Sequence, residues 1–109
     1  MARTAKNLAI GQITSDVITT IYTAPSAKNT SASVLAFTNA SDQAISIEVY
    51  QGNGTDYLQR AFTLPAGVGR EGIYYGFQHR VINTTETVKL KADSSAAFNY
   101  TMSGAEVDV

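Results

Sequence analysis

Apolar residues along this chain recur at every second position more than at every third or fourth, the period of a strand with one buried and one wet face. The cleanest case is TVKLKA, where Val88, Leu90 and Ala92 alternate with Thr87, Lys89 and Lys91. AISIEVYQ follows the same logic, with Ile45, Ile47 and Val49 on one face and Ser46, Glu48 and Tyr50 on the other. In ASVLAFTN, by contrast, Leu35 and Phe37 fall on one face and Val34 and Ala36 on the opposite one, so both faces read as dry. Similar spacing predicts strands over residues 8–13, 17–23, 57–64, 72–77 and 97–103.

Between these runs stand TSD, APSAKNTS, NASDQ, QGNGTD, LPAGVG, NTTE and DSS, whose Gly, Pro, Asn, Asp and Ser residues supply turn chemistry. The NASDQ turn predicts a hairpin between the strands on either side of it. Some eight short strands at this spacing, with little or no helix, predict an all-β fold, an antiparallel β-sandwich of Ig-like or jelly-roll-like kind. Residues 1–6, MARTAK, carry no period and read as a flexible arm ordered by a partner, leaving residues 7–109 as one sandwich domain.

Composition narrows the function classes. A chain of 109 residues with 44% hydrophobic and 16% charged content is that of one folded domain with a single core. Net charge is −1, and the basic residues are scattered, so the counterion-releasing stripe of a nucleic-acid binder is missing. No apolar run approaches the roughly 20 residues of a membrane span. The start lacks the apolar core of a secretory signal, and the protein is expected to fold where it is made. With no cysteine, disulfides, thiolate metal sites and a cysteine nucleophile drop out.

One motif invites a cofactor. LPAGVGREGIYYGF holds G-x-G-x-x-G at Gly67, Gly69 and Gly72, the spacing that lets backbone approach a pyrophosphate. That chemistry also needs a helix N-terminus directly after the glycines, where oriented N–H groups and the helix dipole meet the phosphates. IYYGFQHRVI is aromatic and β-branched, a strand rather than a helix, so the glycines are read as a bend and no cofactor is assigned. His79 is the single histidine, which removes any His–His metal pair, and nothing around a serine resembles a nucleophile elbow. The carboxylates gather at turns, as caps do, and GNGTD lacks EF-hand spacing. No catalytic, cofactor-binding or metal-binding residue is therefore assigned, and the chain is read as a non-enzyme.

What remains is surface. Tyr74, Tyr75 and Phe77, with the doubly apolar run holding Val34 and Ala36, offer more apolar area than one inward face absorbs, which predicts contact with another subunit. Arg70 and Glu71 on the bend, and Arg3 and Lys6 on the arm, complete the candidate interface.

The stretch IYTAPSAKNTSASVLAFTNASDQAISIEVYQ resembles the first half of a group of small β-sandwich proteins that are minor virion components of tailed bacteriophages. The residues that carry the likeness are Tyr22, Thr23 and Pro25, the strand from Leu35 ending in Asn39, the turn after it, and the alternating strand from Ile45 to Tyr50. LPAG at 64–67 is similar to that group's Leu-x-Pro-Gly turn, and FNYTMSGAEV to its closing strand. At residues 84–88, TTETV stands where relatives carry a Gly-Asp turn. The resemblance implies a virion structural protein, assembled in the host cytoplasm, that decorates or cements a capsid through the major capsid protein or other virion proteins and forms homo-oligomers on the particle. Neither nucleic acid nor membrane is an expected partner. The alternatives are a neck, tail or fibre-associated subunit, or a sandwich whose loops bind a host glycan.

Overall fold

A computed structural model describes residues 3–66 and 74–108. Within them run eight strands: β1 (Arg3–Ile13), β2 (Thr19–Thr23), β3 (Lys28–Asn39), β4 (Ile45–Gly52), β5 (Tyr57–Leu64), β6 (Tyr74–Ile82), β7 (Thr87–Ala92) and β8 (Phe98–Asp108). Alternation in the sequence becomes alternation in burial. Val88, Leu90 and Ala92 of β7 and Ile45, Ile47 and Val49 of β4 are all buried, while Lys91 and Ser46 between them are exposed.

Two four-stranded antiparallel sheets result, sheet A in the order β1-β8-β3-β6 and sheet B in the order β2-β7-β4-β5. Each strand of the first half pairs with its mirror in the second: β1 with β8, β2 with β7, β3 with β6, β4 with β5. The chain is thus one long antiparallel ribbon, closed at the β4–β5 hairpin and rolled until β3 meets β8 and β4 meets β7. That is jelly-roll order. An immunoglobulin order would place the first two strands side by side in one sheet, whereas here β1 and β2 lie in different ones.

Between the sheets lies the core. Sheet A contributes Leu35, Phe37, Phe98 and Met102, and sheet B contributes Ile45, Ile47, Val49, Leu64, Val88 and Leu90, all essentially inaccessible. Phe37 sits near the middle, its ring centroid 5.4 Å from Phe62 across the sandwich and 6.0 Å from Phe98 on its own sheet, both in tilted arrangements.

One expectation is corrected by this topology. The strands flanking residues 39–43 do not form a hairpin: β3 ends in sheet A and β4 begins in sheet B. Asn39 builds the corner between them. Its carbonyl oxygen accepts from the Ser41 amide and hydroxyl, each at 2.8 Å, and its amide donates to the carbonyls of Gln43 and Pro65. Asx chemistry closes a corner between sheets as readily as a hairpin, so composition alone does not separate the two. Residues 3–6, expected as part of an arm, lie within the bounds of the first strand. They belong to β1, with Arg3 opposite Val107 and Lys6 opposite Gly104 of β8, because ladder hydrogen bonds use backbone groups and need no side-chain period.

Candidate functional site

Register decides what each sheet shows to solvent. On sheet A, Leu35 and Phe37 turn inward and Val34 and Ala36 outward, half-buried by their neighbours. Ala36 stands opposite Thr101 of β8 on one side and Tyr75 of β6 on the other, and Thr101 stands opposite Ile10 of β1. Ile10, Thr101, Ala36 and Tyr75 therefore form one row across all four strands. Ile10 is 70% exposed and Tyr75 42%. The row on one side holds Gln12, Asn99 and Thr38, with Gln12 donating to the Asn99 side chain at 2.9 Å. On the other side lie Asn7, Ser103, Val34 and Gln78. None of these eleven side chains carries a charge.

Sheet B presents the opposite character. Its outer face bears Glu48 and Tyr50 of β4 and Lys89 and Lys91 of β7, with Tyr50 donating to Glu48 at 2.7 Å and Lys89 paired with Asp56 at 3.0 Å. The Tyr50 phenol is held above its ordinary value, chiefly by that hydrogen bond to Glu48. At its edge, β5 leaves Tyr57 61% and Leu58 53% exposed.

Within the sandwich, a polar link ties the sheets together near the start of β3. The Tyr22 hydroxyl donates to Glu106 at 2.7 Å and lies 2.7 Å from the Thr30 hydroxyl. A phenol has one proton, so with that proton on Glu106 it is Thr30 that donates to Tyr22. All three residues are buried. Burial, more than any other cause, raises the Tyr22 phenol to about 12.

Among the expected interface residues whose side chains are described, three share one face and one does not. Val34, Ala36 and Tyr75 share the uncharged central rows on the outer face of sheet A. Phe77 instead faces inward opposite Leu35 and belongs to this chain's own core, with the Arg80 guanidinium 5.6 Å from its ring centroid. Its sequence neighbour Gly76 is an extra residue in the β3–β6 ladder and shifts the alternation there. Arg3 and Lys6 lie on the outermost strand of sheet A, and Tyr74 begins β6 opposite Phe37. Arg70, Glu71 and the glycines Gly67, Gly69 and Gly72 fall outside the described residues, but the helix that nucleotide binding requires is replaced by β6 from Tyr74 onward. His79 is exposed within β6 at a φ of 55°, a region that histidine enters more readily than most residues. Among the described residues no three His, Asp or Glu side chains gather where they would hold a metal. Sequence reasoning missed Ile10, whose outward aim depends on the register with β8, and the Tyr22–Glu106 link, whose members lie 84 positions apart.

Fold and surface together define a jelly-roll β-sandwich in which three central rows of the outer face of sheet A are uncharged and the outer face of sheet B carries Glu48, Lys89 and Lys91. No protein-family model matches the chain, and no curated protein or solved structure is recognisably similar to it.

Proposed function

We propose that this protein is a structural subunit of a bacteriophage virion that decorates or cements the capsid, docking on the major capsid protein or another virion protein. The observation that carries the reading is the outer face of sheet A, where an apolar row through Ile10, Ala36 and Tyr75 is flanked by neutral polar rows. Depletion of charge around an aromatic and aliphatic centre is the composition of an interface core, not of a face kept in water. The resemblance of the stretch from Tyr22 through the closing strand to the small phage sandwiches supports the same reading. Such a role needs no chemistry. Each copy adds one interface, and the symmetry of the shell multiplies it, with contacts between copies adding to the effect.

Labelling the protein and imaging intact particles tests this reading. Copies distributed over the whole head are expected. Density confined to the portal vertex or tail favours the neck, tail or fibre alternative, and particles without the protein refute a virion role.

A further inference from the structure

We infer that the outer face of sheet B carries a binding groove for a neutral saccharide, formed where β7, β4 and β5 lie side by side. This inference is independent of the docking role proposed for sheet A. The groove has a volume of about 460 Å³, within the roughly 300–1,000 Å³ usual for small-ligand sites. It arises from a step in side-chain size. Ser46 of β4 and Ala61 of β5 are small and make the floor, while Glu48, Thr63, Lys91 and Asp93 rise around them.

Cross-strand register makes the rim chemically unusual. Glu48 stands directly opposite Lys91, the arrangement that ordinarily closes as an ion pair. Here Glu48 instead accepts from Tyr50 through Oε1 at 2.7 Å, and no ion pair joins Lys91 to Glu48 or Asp93 among the described residues. Asp93 uses Oδ1 to accept from the Ser46 amide at 3.0 Å, and Ser46 and Thr63 share one hydroxyl contact at 3.1 Å. Not taken up by these contacts are the three ammonium donors of Lys91, a second oxygen on each carboxylate, and one hydroxyl proton, all on residues that line the groove.

That inventory selects a ligand class. An anion meets two carboxylates against one ammonium, a cation is drawn to the carboxylates but leaves the ammonium and the hydroxyl proton without acceptors, and an apolar ligand strands all three charges without water. Adjacent hydroxyls, each both donor and acceptor, satisfy carboxylates and ammonium together. A sugar ring offers that pairing with no net charge. The open, shallow form suits a stretch of oligosaccharide lying along the sheet.

The test is titration of the whole protein with neutral trisaccharides (maltotriose, cellotriose, mannotriose, galactotriose and tri-N-acetylchitotriose), read by amide chemical shifts. Inorganic phosphate and methylammonium serve as charged probes. Saturable shifts at residues 46–48, 61–63 and 91–93 are expected with at least one trisaccharide. Glu48→Gln and Lys91→Met are each expected to weaken that binding by about tenfold or more, the loss of a hydrogen bond to a charged group. Ala61→Trp, which fills the floor, should abolish it, and Tyr75→Ser on the opposite sheet should leave it unchanged. The inference is overturned if no trisaccharide shifts these amides, if a charged probe binds there more tightly than every sugar, or if the three groove variants bind like the parent. Failure here leaves particle association through sheet A untouched, so the two readings are separable.

Discussion

Replacing Tyr22 with Phe removes one oxygen and leaves the ring in place, so it isolates the polar link between the sheets. The hydroxyl is 2.7 Å from both Glu106 and Thr30, and it connects β2 of sheet B to β3 and β8 of sheet A, where Thr30 and Glu106 are register partners. Losing a hydrogen bond to a carboxylate costs about 1.5–3 kcal/mol, and losing a neutral one costs about 0.5–1.5 kcal/mol. Tyr22→Phe is therefore expected to destabilise the fold by about 2–4 kcal/mol. For a domain of this size that is a fall of roughly 10–25 °C in Tm. Urea titrations of both proteins at neutral pH measure the difference directly.

Alkaline pH adds a second readout. Burial is the chief reason that the Tyr22 phenol lies at about 12 in the fold, against an ordinary value of 10.0; the hydrogen bond from Thr30 opposes the shift, and the bond and charge of Glu106 add to it. Between those values the folded state keeps a proton that the unfolded state releases. The stability tied to that proton is fully present below pH 10 and is lost as pH rises through about 12. The parent should weaken over this interval more steeply than Tyr22→Phe. A loss of less than about 0.5 kcal/mol at neutral pH, or parallel alkaline profiles for the two proteins, refutes the role given to this link.

Three further outcomes are expected. Ala27 is exposed at a φ of 62°, where a Cβ is strained, so Ala27→Gly should stabilise by about 0.5–1 kcal/mol; Gly54, at a φ of 80° in open space, should lose about 1 kcal/mol as Gly54→Ala, and denaturation midpoints of the pair test both signs. A Cβ on Gly104 would collide with the backbone of Ser31 and Ala32 where β8 passes β3, so Gly104→Ala should cost about 1–3 kcal/mol or more, read by thermal unfolding. Ile10→Ser with Tyr75→Ser should leave the protein folded, at a cost of about 1–2 kcal/mol that comes mainly from Tyr75, since Ile10 is 70% and Tyr75 42% exposed, yet remove most particle association in a co-sedimentation assay.

Much of the architecture was legible from alternation. The bounds of β5 and β7 follow directly from the pattern, and Val34 and Ala36 stand out as apolar residues on a second face. Pairing between distant strands was not legible. No local signal separates a corner at Asn39 from a hairpin, and none places Ile10, Ala36 and Tyr75 in one row, because that row is set by registers between β1, β8, β3 and β6. Extra residues in the ladders, such as Leu8, Ser33 and Gly76, shift the alternation partway along strands and hide which face a side chain takes. The groove on sheet B escapes for the same reason: Glu48, Lys91 and Ala61 are unremarkable singly and become a rim and floor only across three strands.

The proposed docking of sheet A is tested most directly by a cryo-EM reconstruction of virions carrying the protein, in which the orientation of the sandwich is resolved. The expected map places Ile10, Val34, Ala36 and Tyr75 against a neighbouring virion subunit, with Lys89 and Lys91 of sheet B toward solvent. A map in which the outer face of sheet A is open to water, and another surface makes the contact, would contradict the account.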